Sequence, residues 1–375
     1  MNHSSMDVLK PPIITIGGRC YRCNPAQVSS YAEVDEEEER YQDRSHGDEP
    51  NDDCMLDAEM NDESCDQVEM MKFGDRFKVV MEVPAAFFGF IIGRKGEMKR
   101  KIEEETQTKV DVPREKHVER ISITGKNRNG VCSAKTRIDV LVDSARKREP
   151  FTHFVSFPLN SQAVMDRFSQ FKEEVLANCS HCYGIEDKIM QIPAKLHLTV
   201  TTLVLMNKRE IDAAQNILDE CQETIINPIL KGQPLLINVA GLEYMNDDPG
   251  RVGVLYGKVR MQDDSNKLQE IADRLRQRFL ASPLSQDKFE KAGVKLHMTV
   301  MNATFRQKDL PDTRAEGRGR GRPSTNVQMF DASEILQRFR DFFFGEHCID
   351  SVHISERSRY GDDGFYRPAG KIVLQ

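Results

Sequence analysis

The chain has 375 residues, 30% of them charged, and a formal net charge of −7. This length allows two or three domains, each with a core of its own. No apolar run approaches the ~18 residues of a membrane span, and Lys10, Pro11 and Pro12 interrupt the N-terminal stretch, so the sequence predicts neither a span nor a signal peptide. We expect a multidomain protein of the α/β (α+β) class without a membrane anchor.

The N-terminal region, residues 1–71, divides into two parts. Pro12–Cys23 contains two short β-prone runs around a Gly-Gly pair, which predict a small hairpin, and we interpret it as a docking peptide that orders on a partner. Residues 33–69 contain 17 acidic residues and two arginines, a net charge of −15, so we expect a disordered, solvating tail. Since the whole chain carries −7, the remainder carries +8, which favours a phosphate-bearing partner.

Two C-x-x-C pairs occur among the nine cysteines, Cys20/Cys23 and Cys179/Cys182. Together they offer four thiolates, a ligand set that zinc binds in structural sites. The pairs are 156 residues apart, counted from Cys23 to Cys179, which is unlike a zinc-finger spacing. We therefore expect reduced thiols and no metal, with zinc as the alternative.

Residues 72–149 have the pattern of a small α/β domain. Arg76–Val83 predicts a strand, a helix follows from Pro84, and I-I-G-R-K-G at 91–96 separates this helix from a charged second one. Two strands, K-V-D-V-P and R-I-S-I-T-G, and a helix over Asn129–Arg148 complete the order βααββα.

This order, with G-x-x-G between the first two helices, resembles a KH domain of the eukaryotic type. Such domains hold about four nucleotides of a single strand, because the glycines let the backbone approach a phosphate and amides at a helix start face the anion. The resemblance assigns binding to the loop and the apolar residue before it, which are Ile92, Gly93, Arg94, Lys95 and Gly96. The apolar floor of the groove is expected to come from residues such as Val83, Phe90, Ile91 and Ile92. The alternative is a KH fold that serves only as a protein-binding platform.

Residues 150–375 contain an internal repeat that carries the chemistry. Lys195–Val200 reads K-L-H-L-T-V and Lys295–Val300 reads K-L-H-M-T-V, and both are typical of strands. Side chains alternate along a strand, so each copy places a cation, an imidazole and a hydroxyl on one face. Two imidazoles across a cleft suit general acid–base catalysis, because with an ordinary pKa of about 6.5 one accepts a proton while the other donates one.

The two strands resemble the signature of the two-histidine phosphoesterase superfamily, H-x-[ST]-Φ, in which Φ is apolar. This family includes 2′,3′-cyclic phosphodiesterases, RNA 2′,5′-ligase-like enzymes and 2′,5′-oligoadenylate phosphodiesterases. The resemblance implies a two-lobed, pseudo-twofold α/β fold and a mechanism without metal or cofactor. It makes His197 and His297 the base and the acid, in an order left open, and lets Thr199 and Thr299 hydrogen-bond the phosphate.

Other side chains are weaker candidates for this site. Lys195 and Lys295 are expected on the strand face of the histidines, where they support the phosphate. Tyr366 lies near the last predicted strand and either stacks a base or is an ordinary surface aromatic. His153 and His353 also fall in predicted strands, and we expect them in the core or on the surface, with a place beside the cleft as the alternative.

The remaining elements of this region alternate on either side of the repeat. They are the predicted strands Thr152–Pro158, Leu235–Leu242, Gly253–Arg260, Ser351–Ser355 and Lys371–Leu374 and the predicted helices Gln162–Ala177, Lys208–Ile226, Lys267–Leu280 and Ala332–Phe344. Such an alternation agrees with the fold that the resemblance implies.

An Arg-Gly-rich insertion near residues 311–327 interrupts the connection between the second histidine strand and the next helix. Gly and Arg keep such a segment from folding alone. Arg320–Pro323 reads R-G-R-P and resembles the core of AT-hook peptides, which place arginines in the DNA minor groove. We interpret the insertion as a flexible basic loop, with DNA binding as the alternative.

An acidic tail, one KH domain and a C-terminal two-histidine domain in this order resemble a family of subunits of the activating signal cointegrator complex. The resemblance extends to Asn127–Gly130, to Glu243–Gly250 and to both histidine strands. It implies a nuclear, non-membrane protein that works with the helicase and coactivator subunits of that complex. The implied processes are transcription regulation and the repair of alkylated nucleic acid.

Two functions of different class remain open. One is a regulatory subunit that binds single-stranded RNA or nucleic-acid ends and uses its cleft to recognise or process a terminal phosphate. The other is an active, metal-independent phosphodiesterase that acts on 2′,3′-cyclic or 2′,5′-linked RNA ends. A bell-shaped pH profile of cleavage, lost in His197→Ala or His297→Ala, separates the second from the first.

Overall fold

The structure is a computed structural model, and it describes residues 13–16, 19–22, 70–115, 117–285, 293–309 and 328–374. These residues form three sheets of two, four and eight strands. The acidic segment 33–69, Cys23 and the R-G-R-P sequence at 320–323 lie outside the described residues, so the interpretations of them stay predictions. Within the described part of the chain, none of the helices is long and apolar enough to cross a membrane.

The predicted N-terminal hairpin is present. Strand β1 (Ile13–Ile16) pairs antiparallel with β2 (Arg19–Arg22), so that Ile13 lies opposite Arg22. Because an isolated two-stranded sheet is marginally stable in water, a role as a docking peptide remains a prediction.

The second sheet and its helices form the fold expected of a KH domain, with one additional strand. The elements are β3 (Met71–Phe73), β4 (Arg76–Glu82), α1 (Phe88–Ile92), α2 (Glu97–Thr106), β5 (Thr108–Asp111), β6 (Arg120–Gly125) and α3 (Arg128–Arg148). The sheet order is β3-β4-β6-β5. Strand β3 was not predicted, because its three residues are too few to show a period; a turn at Gly74 and Asp75 pairs it with β4.

The third sheet has eight strands and belongs to the C-terminal region. Its strands are β7 (His153–Pro158), β8 (His197–Leu203), β9 (Leu235–Tyr244), β10 (Val254–Met261), β11 (His297–Asn302), β12 (Phe343–Ile349), β13 (Ser351–Tyr360) and β14 (Tyr366–Val373). The helices are α4 (Gln162–Cys179), α5 (Lys208–Cys221), α6 (Asn227–Leu230), α7 (Lys267–Leu280) and α8 (Ser333–Phe339). The predicted mixed α/β fold class is confirmed.

The sheet order, β12-β9-β10-β11-β8-β7-β13-β14, divides into two halves of four strands. The two strands that begin at the motif histidines, β8 and β11, lie side by side at the centre and pair antiparallel through Leu198 and Met298. Each half therefore presents one histidine strand at the same seam, as the internal repeat suggested.

Helix α4 shows how the core anchors this sheet. Its predicted apolar stripe, which consists of Val164, Phe168, Phe171 and Val175, is fully buried. Phe171 makes ring contacts with Phe344 of β12 at a centroid distance of 5.2 Å. A stripe at helical spacing buried against a sheet supplies the main driving force for docking the two layers.

One helix prediction was wrong in its extent. The helix expected over Ala332–Phe344 ends at Phe339, and β12 begins at Phe343, because the run of three phenylalanines is compatible with either element and the edge of β9 provides a partner. Gly345 has φ +125°, which a helix does not accommodate. The helix expected over Lys208–Ile226 is present: α5 is followed without a break by a π-helix over Gln222–Ile226 and then by α6.

The KH domain contacts the C-terminal domain directly. Arg146 of α3, 4% exposed, donates to both carboxylate oxygens of Glu210 on α5 and to the carbonyl oxygen of Val204. Asn207 Nδ2 donates to Glu119 Oε2 at 2.6 Å. A buried bidentate ion pair of this kind has little freedom to adopt another geometry.

Candidate functional site

Both motif strands begin at their histidine, not at the preceding lysine. Lys195 ends a short 3-10 turn that starts at Pro193, and β8 starts at His197; Lys295 likewise precedes β11. The expectation that these lysines continue the strand face of the histidines was therefore wrong. The 3-10 turn that begins at Pro193 takes Lys195 out of the sheet, and Lys295 lies in an irregular segment before β11.

The backbone of each lysine nevertheless orients the histidine that follows. His197 Nδ1 lies 2.7 Å from the carbonyl oxygen of Lys195, and His297 Nδ1 lies 2.7 Å from that of Lys295. A carbonyl oxygen only accepts, so Nδ1 donates in both rings. Nε2 is then the nitrogen that exchanges a proton with a substrate, and the arrangement is the same in both halves.

The pairing of the central strands brings the four motif side chains together. Leu198 and Met298 lie opposite each other and are fully buried, so their neighbours point to the other face. In this antiparallel register His297 comes beside Thr199, and Thr299 comes beside His197. All four of these side chains are half-buried, which leaves them accessible to a phosphate.

Tyrosines border both histidines. The ring of Tyr366 lies 5.4 Å from His197, and the ring of Tyr256 lies 5.2 Å from His297, both in edge contacts. Lys195 Nζ lies 3.5 Å from the ring centroid of Tyr360, and Lys295 Nζ lies 5.2 Å from that of Tyr256. The lysine cations thus interact with aromatic rings at the edges of the site.

Sequence reasoning found one of these tyrosines and missed two. Tyr366 was expected near the last strand, and it begins β14. Tyr256 and Tyr360 could be recognised only from the register, in which Tyr256 of β10 lies opposite Thr299 of β11. No spacing within the sequence reports that pairing.

The His297 half of the site is the more polar one. Tyr256 Oη donates to Glu243 Oε2 at 2.9 Å, and Lys258 Nζ lies 3.5 Å from Glu243 Oε1. Burial, and then the hydrogen bond to Glu243, raise the pKa of Tyr256, so the phenol stays protonated. The His197 half instead presents the ring of Phe154, 5.0 Å from the imidazole.

His153 and His353 are buried, which is one of the two placements that we expected. His153 is 7% exposed, and Thr152 Oγ1 lies 2.8 Å from its Nδ1. His353 is 9% exposed, and neither ring nitrogen has a hydrogen-bond partner among the described residues. Burial, with a smaller effect of Lys371, lowers the pKa of His353 to about 4. A ring held neutral in this way is a core group.

The G-x-x-G loop of the KH domain is a tight turn that two glycines make possible. Gly93 has φ +71° and Gly96 has φ +78°, and Lys95 between them also has a positive φ, of 52°. A Cβ atom on Gly93 would lie 2.6 Å from Met98 Cβ, so no larger residue fits there. Helix α2 begins directly after the loop, and the unpaired amides at the start of a helix are groups that commonly bind phosphate.

The apolar residues around the loop are divided between core and surface. Ile91 is fully buried and Val83 is 2% exposed, so these two, which we had placed in the groove floor, belong to the core. Ile92 is 37% exposed and Phe90 40% exposed. Of these four residues, Ile92 and Phe90 are therefore the two that can contact a base.

One group of potential metal ligands is present in the described residues, and it does not include the motif histidines. It consists of His181, Cys182 and Glu334. Cys182 Sγ donates to Glu334 Oε2 at 3.3 Å. Burial, and then this hydrogen bond, raise the pKa of the Cys182 thiol to about 11.

Comparisons with known proteins agree with this architecture. A family model described as the AKAP7 2′5′ RNA ligase-like domain matches residues 151–374, and one described as the KH domain matches residues 78–139. Activating signal cointegrator 1 complex subunit 1 of Mus musculus is 42% identical over 373 residues, which cover 98% of this chain and 99% of the mouse protein.

Solved structures are similar over shorter stretches. The first KH type I domain of human Vigilin is 25% identical with a TM-score of 0.19, and covers 21% of this chain and 85% of its own. The a/eIF2alpha-aDim2p-rRNA complex from Pyrococcus horikoshii OT3 is 16% identical with a TM-score of 0.17, over 27% of this chain and 60% of that one.

The resemblances to a KH domain, to a 2′,5′ RNA ligase-like domain and to the family of cointegrator-complex subunits are thereby confirmed. The ligase-like model covers more than half of the chain, and the mouse protein aligns with nearly all of it. The chain therefore belongs to the AKAP7 2′5′ RNA ligase-like domain family and, with its KH domain, to the family of activating signal cointegrator 1 complex subunit 1.

Proposed function

We propose that this protein is a nucleic-acid-binding subunit that holds single-stranded RNA on its KH domain and recognises or processes a terminal phosphate in its two-histidine cleft. The observation that carries the proposal is the matched pair of histidines, each with Nδ1 donating to a backbone carbonyl, which makes Nε2 the nitrogen that would exchange a proton. Two such imidazoles, each beside a threonine hydroxyl, suit a phosphodiester better than any other common ligand.

The second candidate function, turnover, is favoured by the same geometry. One imidazole takes a proton from water while the water oxygen attacks phosphorus, and the other donates a proton to the ribose oxygen that departs. One P–O bond forms and one breaks, so a 2′,3′-cyclic phosphate becomes a monoester without net proton change. The hydroxyls of Thr199 and Thr299 donate to the phosphoryl oxygens and stabilise the added charge.

The KH loop supplies the second half of the proposed function. Gly93 and Gly96 bring backbone amides close to a phosphate, and Arg94 and Lys95 add positive charge. The exposed side chains of Ile92 and Phe90 offer apolar contact to bases. A single strand bound here leaves its base edges accessible to recognition.

Membership of a larger assembly is supported by the mouse relative, whose name places it in the activating signal cointegrator 1 complex. We extend this membership to the present chain, because the identity of 42% runs through nearly all of both proteins. The proposed setting is the nucleus, with helicase and coactivator subunits as partners, in transcription regulation and in the repair of alkylated nucleic acid. Purification of the tagged chain from nuclei should recover a helicase; recovery of the chain from cytoplasm alone would contradict the proposal.

The two candidate functions are separated by mass spectrometry of RNA ends. Short RNAs that end in 2′,3′-cyclic phosphate, or that contain a 2′,5′ linkage, are incubated with the full-length protein and with the His197→Ala, His297→Ala double variant. Turnover by the wild type alone establishes the phosphodiesterase and identifies its bond. Binding of these RNAs without change by the wild type, weakened in the double variant, establishes a recognition site.

A failure of both outcomes would remove the proposal. If the wild-type protein neither converts nor binds these RNAs, the cleft has another ligand. If cleavage is found, its pH profile should be bell-shaped, since it needs one neutral and one protonated imidazole. A chelator should not reduce the rate.

A further inference from the structure

A cluster of three metal-ligand side chains lies where the end of α4 meets the start of α8. His181 and Cys182 follow the last residue of α4, and Glu334 is the second residue of α8. His181 Nε2 lies 2.9 Å from Glu334 Oε2, and Cys182 Sγ lies 3.3 Å from the same oxygen. The three potential ligand atoms all lie within 4.8 Å of one another.

The backbone around this cluster is already held in place. Cys182 N donates to the carbonyl oxygen of Cys179, which turns the chain directly after the helix. Asp331 N donates to the carbonyl oxygen of Tyr183 at 2.9 Å, which fixes the approach to α8 against the same turn. The three side chains therefore converge because two connections are tied together.

The dimensions of the cluster fit a small divalent ion. In tetrahedral zinc sites the metal lies about 2.3 Å from sulfur and about 2.0–2.2 Å from nitrogen or oxygen, so neighbouring ligand atoms are about 3.3–3.7 Å apart. The separations of Glu334 Oε2 from His181 Nε2 and from Cys182 Sγ, 2.9 and 3.3 Å, differ from these values by a few tenths of an ångström, and the third separation is within 4.8 Å. The His181 side chain is 69% exposed and is free to make that adjustment by rotation.

We propose that His181, Cys182 and Glu334 bind one divalent transition-metal ion, zinc by preference, with water in the fourth position. A thiolate, an imidazole and a carboxylate are ligand types that zinc prefers. On binding, the thiol proton leaves to solvent and sulfur takes its place at the metal. The thiolate and the carboxylate then balance the two positive charges of the ion.

A neighbouring arginine completes the site. Arg338 lies 2.8 Å from Glu334 Oε1, the oxygen that does not face His181 and Cys182. This ion pair holds the carboxylate with Oε2 toward the cluster, as outer partners of metal ligands commonly do. Arg338 is one turn along α8 from Glu334, so the helix itself sets this orientation.

The proposed ion would cross-link two parts of the C-terminal domain. Helix α8 follows residues 310–327, which the structure does not describe, whereas α4 packs into the central core. A metal bound at this junction ties the end of α4 to the start of α8 and stabilises the folded form. Its role is therefore structural, and it is independent of the chemistry proposed for the two histidines.

The test uses full-length protein freed of metal with a chelator and then dialysed against zinc or cobalt. One equivalent should be retained, and the cobalt form should show the charge-transfer absorption of a cobalt–thiolate bond. Cys182→Ser, His181→Ala and Glu334→Gln should each weaken binding by at least about tenfold. Zinc should raise the unfolding temperature of the wild type and not that of Cys182→Ser.

Three controls keep the result specific. Cys348→Ser removes an exposed thiol outside the cluster and should retain the ion. The Cys20→Ser, Cys23→Ser variant tests the other C-x-x-C pair, and the His197→Ala, His297→Ala variant tests the motif histidines; both should bind as the wild type does.

Two outcomes overturn the proposal. Retention of the ion in all three ligand variants would place it elsewhere. If the wild-type protein retains no zinc and shows no cobalt–thiolate absorption, the cluster is a hydrogen-bonded group of thiol, carboxylate and imidazole and not a metal site.

Discussion

His353 couples the stability of the sheet to pH. Its ring is buried on β13 opposite Lys371 of β14, and Asp350 and Asp363 are the acidic groups that act on it. The folded pKa is about 4 and the ordinary value is 6.5, so between these values the unfolded chain binds the proton more strongly. The free energy of unfolding should therefore fall as the pH is lowered from 6.5 toward 4, by about 2 kcal/mol for this residue.

The measurement is chemical denaturation at several pH values. His353→Leu should reduce the slope between pH 6.5 and 4 without removing it, because burial also lowers the pKa of His153. His117→Leu changes an exposed histidine and serves as the control. An unchanged slope in His353→Leu would mean that other groups determine the acid sensitivity.

Substitution of Lys195 tests whether His197 depends on the backbone carbonyl of this lysine or on its side chain. Because the backbone carbonyl of Lys195 orients His197, Lys195→Ala should keep the imidazole in place. The variant loses the side chain beyond Cβ, including the ammonium group near Tyr360, so binding of an RNA with a terminal phosphate should weaken about fivefold, the equivalent of ~1 kcal/mol. His197→Ala should have a much larger effect on any turnover.

A matched control for that experiment is Lys208→Ala, which removes the same charge from an exposed position on α5. Binding is followed by fluorescence anisotropy at two salt concentrations, since a lost phosphate contact also lowers the salt dependence. Equal losses for both lysines would show a general effect of charge and no role of Lys195 in the site.

The residues of the candidate site differ in how far the sequence revealed them. His197 and His297 stand out because their motif occurs twice, and a repeat is visible without a structure. Glu243 and Tyr256 carry no motif, and they reach the second half of the site only through the pairing of β9, β10 and β11. Register depends on packing across the sheet, which a single strand does not encode.

The turn between α1 and α2 depends on Gly93 more than on Gly89 or Gly96. Gly93→Ala would combine a positive φ with a Cβ 2.6 Å from Met98 Cβ, so the loop and the start of α2 must shift. We expect a loss of about 1–2 kcal/mol in the free energy of unfolding and weaker binding of single-stranded RNA. Denaturation and anisotropy measure the two effects.

Gly89 on α1 provides the comparison within the same domain. A Cβ at Gly89 meets nothing within 4 Å, and its φ is not positive, so Gly89→Ala should stabilise the helix by about 0.5–1 kcal/mol. Wild-type RNA affinity in Gly93→Ala would show that the KH domain binds without the loop geometry, in agreement with a platform that binds protein.

Helices with a long, regular apolar pattern could be predicted from the sequence, whereas a strand whose conformation depends on its neighbouring strand could not. Helices α4 and α7 begin at the predicted residues because their apolar stripes recur at helical spacing. Strand β12 was taken for helix because Phe342–Phe344 has no period of its own. Its conformation is decided by the free edge of β9, with which it pairs from Ala240 to Leu235.

At the scale of the whole molecule, one buried ion pair joins the two larger domains. Arg146 lies in the last turn of α3 and is 4% exposed. Its guanidinium also lies 4.9 Å from the ring centroid of Phe87. Glu210, 14% exposed, belongs to the first turn of α5. Helix α3 of the KH domain and helix α5 of the C-terminal domain thus share one buried contact.

Removal of one member of that pair should destabilise the whole chain. Arg146→Met leaves the carboxylate of Glu210 nearly buried without its cation, so we expect a loss of about 3 kcal/mol in the free energy of unfolding. Arg209→Ala breaks a neighbouring but exposed ion pair with Glu82 and should cost less than about 1 kcal/mol.

The double variant Arg146→Met, Glu210→Met distinguishes a buried charge from lost packing. It removes both charges, so its stability should lie closer to the wild type than that of Arg146→Met. Denaturation followed by a probe in each domain should give one transition for the wild type and two for Arg146→Met. A single unchanged transition in Arg146→Met would mean that the two domains do not depend on this contact, and that the remaining contacts, Asn207–Glu119 and Arg209–Glu82, suffice to hold them together.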